Sequence, residues 1–218
     1  MPLELPLGSW DSRGERSTAD TEGVAAADEK RALRRELLGR RGARSPDHAA
    51  DAERAQMLLC LAQQRRTATV ALYVAMQGEP QTSAAIGVLL HAGMRVLLPV
   101  LLPDRDLLFR AAEQVGSGGP LALVRGRLGL PVPPSTAPVV PLDEAGIVVV
   151  PALAVDRTGR RLGRGGGSYD RALGRLAAGA AVVAVVHPDE LLVALSVEPH
   201  DRQVGQAFVG GELHELAG

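Results

Sequence analysis

The stretch TVALYVAMQGEPQTSAAIGVLLHAGMRVLLPV, residues 69–100, decides the fold. Its first six residues, Thr69–Val74, form a short apolar run rich in β-formers, of the kind that is buried on both faces of a sheet. Gly78-Glu79-Pro80 then marks a loop, and Thr82–His91 has the length and composition of a helix that Gly93 closes. A second apolar run follows at Arg95–Val100. Strand, loop, helix and strand in this order are a βαβ unit, which needs parallel strands and helices packed on the sheet.

The same grammar extends in both directions. Gly146–Pro151 reads as a third buried strand, Tyr169–Ala178 as a helix and Ala181–Val186 as a fourth strand, with a last one at Val204–Val209. Residues 103–141 carry turn signals at Gly116–Pro120 and Pro131–Pro134 and read as an irregular excursion with short strands near 107–110 and 121–125. Upstream, Leu33, Leu37 and Leu38 give an amphipathic helix over 28–43. A second helix should start at Ser45 as N-cap with Pro46 in its first turn, and end near Gln64. Residues 1–27 lack apolar periodicity and read as a disordered extension. The expectation is one three-layer α/β/α Rossmann-like domain over 28–218, with a largely parallel sheet.

Composition narrows the function classes. The 218-residue chain balances 24 basic against 25 acidic residues, so no global field draws it to nucleic acid or to an anionic membrane. Five aromatic residues are too few for a base-stacking platform. The apolar runs are shorter than the ~20 residues that span a bilayer. A lone Cys60 and the absence of a signal-peptide pattern suggest a cytoplasmic protein. Of the 24 cations, 23 are Arg and one is Lys, at position 30; the chain has no Asn and two Ile. That skew fits mutational pressure from a GC-rich genome, so a retained lysine draws attention.

The strongest local signal is Arg161-Leu-Gly-Arg-Gly-Gly-Gly-Ser-Tyr-Asp170, between a strand and a helix. Glycines at 163, 165, 166 and 167 let backbone N–H groups approach an anion, and Arg161 and Arg164 can grip phosphate oxygens. The segment matches neither a Walker loop nor the dinucleotide fingerprint, and a loop capped by Ser168 is the plainer alternative. Asp170 would repel a bound polyphosphate unless Mg²⁺ lay between them. Glu79 lies in the loop that opens at the carboxyl edge of the sheet, where α/β proteins bind ligands; on position alone a solvated loop carboxylate held by Pro80 is the commoner case. Lys30 and Arg34 share a helix face one turn apart, within a charge run that includes Arg31 and Arg35 and that solvent alone could satisfy. His187–Glu190 and His200-Asp201 suit turns or caps, and no His or Cys spacing suggests zinc.

Four blocks in order resemble the 5-formyltetrahydrofolate cyclo-ligase (methenyltetrahydrofolate synthetase) family: Lys30–Arg34 (KRALR), Tyr73–Thr82 (YVAMQGEPQT), Val149–Asp156 running into Arg161–Leu173 (RLGRGGGSYDRAL), and Glu198–Asp201. The resemblance implies an ATP- and Mg²⁺-dependent closure of 5-formyltetrahydrofolate to 5,10-methenyltetrahydrofolate, with ADP and phosphate released. It implies that Lys30, Arg31 and Arg34 reach the ATP phosphates and that Arg161, Leu162, Gly163, Arg164, Gly165, Gly166, Gly167, Ser168 and Tyr169 wrap the nucleotide. Glu79 would face the reacting end of the folate, with Val74 and residues 164–168 lining its site, and Lys30, Glu79 and Arg161 would carry the catalysis. Asp170 and Asp201 would hold Mg²⁺. The family usually has Tyr-Tyr-Asp where this chain has Ser168-Tyr169-Asp170, which removes an aromatic surface. Alternatives from other classes are a phosphosugar isomerase or CoA-transferase relative and a non-catalytic folate- or nucleotide-binding paralogue.

Overall fold

A computed structural model describes residues 18–116, 118–176, 178–196 and 202–217, with side chains from residue 26 onward. In chain order the elements are α1 (Thr18–Gly42), α2 (His48–Gln64), β1 (Thr69–Ala71), α3 (Ser83–His91), β2 (Arg95–Leu101), β3 (Leu107–Ala111), β4 (Val124–Arg125) and β5 (Pro131–Val132). They continue with β6 (Ile147–Pro151), β7 (Ala154–Asp156), β8 (Arg161–Leu162), α4 (Ser168–Leu173), β9 (Ala181–Val186), β10 (Leu191–Leu192), β11 (Gln206–Val209) and β12 (Glu212–Glu215). Seven strands form the main sheet in the order β12-β11-β9-β6-β1-β2-β3. Its five central strands run parallel, while β3 and β12 close the edges antiparallel. Val70 of β1 pairs with Ile147 on one side and Val96 on the other, so the βαβ unit of residues 69–100 sits at the sheet centre.

The strands read as unbroken apolar runs because both faces are covered. Val70, Leu72, Val96, Leu98, Ile147, Val149, Val183 and Val185 point to one side, against Leu58, Ala62, Ile86 and Leu89 of α2 and α3. Ala71, Leu97, Val148, Val150, Ala184 and Val186 point to the other, against α4 and residues 140–145. This is the expected three-layer α/β fold. Among the described residues no helix is long and apolar enough to cross a membrane.

Several boundaries differ from the sequence reading. α1 begins at Thr18, ten residues before the expected Asp28, so residues 18–27 continue the helix. α2 is capped by Asp47, whose carboxylate accepts the Ala50 N–H at 3.0 Å, and not by Ser45. Two short polar candidates compete there, and the one that reaches a free N–H three residues on wins. α4 stops at Leu173, well short of Ala178: Gly174 is a poor helix former, and the chain turns away on Arg175 N to Ala172 O and Leu176 N to Leu173 O bonds. β12 and the small sheet β10-β7-β8 were not anticipated, because two- to four-residue strands leave little periodicity to read.

Candidate functional site

A cavity of about 840 Å³ opens at the carboxyl edge of the parallel strands, the place where the strand-ending loops converge. Four pieces of chain build it. After β1 the chain leaves the ladder and folds into a compact turn, in which the Tyr73 hydroxyl donates to the Pro80 carbonyl at 2.9 Å. The Thr82 hydroxyl donates back to the Tyr73 carbonyl at 2.6 Å. Glu79 sits at the apex, its N–H bonded to the Met76 carbonyl at 3.0 Å and its Oε2 accepting the Met76 N–H at 2.9 Å. Gly78 is required beneath it, since its φ is +77° and a Cβ there would lie 2.5 Å from the Arg41 carbonyl oxygen.

The Gly-rich segment forms the facing wall. β7 and β8 make a hairpin, and the loop after β8 runs through Gly163–Gly167 into α4. Gly167, with φ +66°, occupies the position before the helix, so Ser168 is the first helical residue and does not cap it. α4 has only six residues, so the anion-binding capacity of this wall rests on the loop N–H groups and on arginines. Arg164 reaches across the cavity and its Nε donates to Glu79 Oε1 at 3.0 Å. Arg161 donates from Nη2 to Asp170 Oδ1 at 2.6 Å, yet its buried Nε and the buried Tyr169 hydroxyl have no partner among the described residues. Burial pushes the hydroxyls of Tyr73 and Tyr169 well above the ordinary tyrosine range, so both stay neutral hydrogen-bonding groups.

α1 supplies the third wall with Lys30, Arg31 and Arg34. Lys30 is buried, Arg34 Nε donates to the Gly163 carbonyl at 2.9 Å, and Arg31 pairs with Asp28 at 2.8 Å. The fourth side is apolar: Pro99, Leu101 and Leu107 from the β2–β3 hairpin, with Leu128, Leu130 and Val132 from the β4–β5 segment.

Below these walls lies a network the sequence did not reveal. Arg41, 2% exposed, makes a two-pronged ion pair with Glu190, 1% exposed, through Nε to Oε1 at 2.7 Å and Nη2 to Oε2 at 2.6 Å. Its Nη2 also donates to the Ala152 carbonyl at 2.5 Å. Burial alone would lower the Arg41 pKa, but the hydrogen bond and charge of Glu190 raise it, so Arg41 stays protonated. Glu190 Oε2 also accepts the His187 N–H at 2.8 Å, and the His187 ring contacts the Gly78 carbonyl at 3.1 Å through Nε2. Arg41, Glu190 and His187 together thus join α1, the end of β9, the β6–β7 turn and the Glu79 loop. Within the basic run of α1 nothing distinguishes Arg41 from its neighbours, and only the strained Gly78 hints that something passes close by.

Lys30, Arg31, Arg34, Val74, Glu79, the whole Arg161–Tyr169 segment and Asp170 therefore share one cavity. Asp201, the expected second metal ligand, lies outside the described residues, as does His200. Among the described residues no group of three His, Cys, Asp or Glu side chains is arranged to hold a metal by itself. Asp170 remains compatible with Mg²⁺, which commonly takes one or two carboxylates and draws its other ligands from water and bound phosphates.

The model of the 5-formyltetrahydrofolate cyclo-ligase family matches residues 26–210. A 5-formyltetrahydrofolate cyclo-ligase from Mycolicibacterium smegmatis is 47% identical over 134 residues, covering 61% of this chain and 69% of that protein. The Escherichia coli K12 enzyme of the same name is 39% identical over 108 residues, covering 48% of this chain and 57% of its own length. The solution structure of Aquifex aeolicus 5,10-methenyltetrahydrofolate synthetase superposes with a TM-score of 0.72 over 87% of this chain and 93% of that one, at 23% identity. That likeness shows the fold, while the sequence matches carry the lineage: the chain belongs to the 5-formyltetrahydrofolate cyclo-ligase family.

Proposed function

We propose that this protein closes 5-formyltetrahydrofolate to 5,10-methenyltetrahydrofolate at the expense of ATP, with Mg²⁺ as the accompanying metal, in the cytoplasm. The observation that carries the reading is the single cavity shared by a cationic helix face, a glycine-rich loop and a buried carboxylate. The reaction asks for these three things. The formyl oxygen attacks the γ-phosphorus and ADP leaves; N10 then attacks the activated formyl carbon and gives up its proton; inorganic phosphate departs with the former formyl oxygen. Negative charge builds on the transferring phosphoryl group, so fixed cations and N–H groups aimed at it supply most of the acceleration.

In this reading Lys30, Arg31 and Arg34 grip the phosphates and Arg161–Tyr169 wraps the nucleotide. The unpartnered Arg161 Nε and Tyr169 hydroxyl are the donors a ligand would satisfy. Glu79 faces the formyl end of the folate, with Val74 and residues 164–168 beside it, and takes the N10 proton. Its ion pair with Arg164 orients the carboxylate until substrate arrives. Asp170 and Asp201 would hold Mg²⁺, which supplies charge neutralisation on the phosphates.

Purified protein incubated with 5-formyltetrahydrofolate, Mg²⁺ and ATP should develop the near-ultraviolet absorbance of the methenyl product. Omission of ATP should abolish the signal. Binding of both ligands by well-folded protein without any absorbance change would show a non-catalytic relative instead.

A further inference from the structure

The turn between β2 and β3 holds a residue that local conformation disfavours. Arg105 adopts φ +67°, a left-handed conformation that side chains resist and that glycine or asparagine would enter at less cost. The turn is nevertheless well made: Arg105 N donates to the Leu102 carbonyl at 3.0 Å, and Leu102 N donates to the Asp106 carbonyl at 2.9 Å. Arg171 clamps it from outside, with Nη2 donating to the Arg105 carbonyl at 2.7 Å and to the Gly166 carbonyl at 3.2 Å. The strained residue is thereby tied to the glycine-rich loop of the site.

Among the described residues its side chain makes no hydrogen bond or ion pair. Asp106, the adjacent carboxylate, is occupied by Arg175 at 3.0 and 2.8 Å, and Asp104 Oδ1 accepts the Asp106 N–H at 3.0 Å. Among the described residues no carboxylate pairs with Arg105, which is exposed and borders the cavity. Arg105 lies in the turn between Leu101 and Leu107, so it adjoins the apolar wall of Pro99, Leu101 and Leu107 while Arg171 links its backbone to the glycine-rich loop. Backbone strain that persists at a cavity rim, with an unengaged guanidinium as its product, is the pattern of a residue kept for a ligand. The fitting ligand has an apolar, ring-containing body and an anionic end. A reduced folate answers that description, with its pterin and aminobenzoyl rings followed by a glutamate whose carboxylates are ionised at neutral pH.

We propose that Arg105 is a specificity-determining residue that receives the glutamate carboxylate of the folate substrate, an assignment that rests on the function proposed above. The cations of α1 then serve ATP, and discrimination for the anionic tail lies in the turn between β2 and β3.

Arg105→Gly separates this role from a structural one, because glycine relieves the strain. The variant should unfold at the wild-type temperature or above it. Its KM for 5-formyltetrahydrofolate should rise about tenfold, the worth of one charge-assisted contact, with the KM for ATP unchanged. With 5-formyltetrahydropteroate, which lacks the glutamate, wild type and variant should perform alike, and Arg105→Lys should recover part of the loss. Equal penalties on both substrates, or an unchanged KM for the complete one, would overturn the proposal. Calorimetric binding of 5-formyltetrahydrofolate is measured alongside turnover. Binding that weakens in the variant while wild type never turns over would uphold Arg105 and reject the catalytic reading. A wild-type protein that does not bind the folate would reject both.

Discussion

The floor and the rim of the cavity are both built from arginine, and they are finished differently. On the floor, Arg41 and Glu190 are almost wholly buried, their ion pair is bidentate, and Arg41 Nη2 and Glu190 Oε2 also bond backbone groups at Ala152 and His187. On the rim, Arg161 keeps a buried Nε without a partner among the described residues, Arg164 is 41% exposed while pairing with Glu79, and Arg105 meets no carboxylate. A buried charge held in a bidentate pair is committed to holding elements together, since breaking the pair would leave an uncompensated charge inside the protein. Donors left over beside a cavity are available to an anion that arrives later. The contrast separates residues that hold the site from residues proposed to act in it, and mutation can test each side.

The largest effect belongs to the floor. Arg41→Met leaves the Glu190 carboxylate buried and unpaired, and should cost about 3–5 kcal/mol of unfolding free energy in a denaturant titration. Replacing both partners by methionine should restore much of that loss; a single variant as stable as wild type would deny the floor its structural role. Glu79→Gln acts on the rim. It should lower turnover by about 10²-fold or more with little change in the denaturation midpoint, because the proposed base is removed and the fold is not. Comparable losses of activity and stability would merge the two regions.

Glycine substitutions sharpen the comparison. Gly78→Ala adds a Cβ 2.5 Å from the Arg41 carbonyl oxygen at φ +77° and should cost about 1–3 kcal/mol. Gly165→Ala, with φ +95° and its nearest neighbour the flexible Arg34 side chain at 3.7 Å, should cost stability less than Gly78→Ala and raise the KM for ATP more. Lys30→Arg conserves charge but exchanges a compact ammonium for a planar guanidinium, so the KM for ATP should rise severalfold with stability retained. An unchanged ATP dependence would make the retained lysine an accident of composition.

The smallest effect is a pH dependence of the floor. Burial, opposed by the Gly78 hydrogen bond, leaves the His187 pKa below its ordinary value of 6.5. The unfolded chain therefore binds this proton more readily than the folded one. Its contribution to stability is present above about pH 6.5 and is lost as the pH falls through the lower folded value. His187→Gln should flatten that part of the stability–pH curve; an unaltered curve would remove His187 from the network.

The central sheet was legible in the sequence because strands buried on both faces are written as uninterrupted apolar runs, as at Thr69–Ala71 and Ile147–Pro151. The residues of the rim were singled out for a chemical reason: a loop with glycines at 163 and 165–167 beside two arginines can cradle an anion, and the fold gathers them into one cavity with Lys30 and Glu79. The floor was not. Arg41 and Glu190 are separated by 149 positions, each sits among other charges, and only folding brings them together. Arg105 was hidden for a different reason, since an Asp-Arg-Asp turn gives no sign that its central residue is left-handed. Local sequence reports propensity and composition, whereas strain and long-range pairing emerge from topology.

The fate of the formyl oxygen tests the account most directly. With a heavy-oxygen-labelled formyl group on 5-formyltetrahydrofolate, ATP and Mg²⁺, wild-type protein should deliver the label into inorganic phosphate, one labelled oxygen for each methenyl product formed. Product formation with the label released to water, and none in phosphate, would contradict phosphoryl transfer to the formyl oxygen and with it the roles given to the rim.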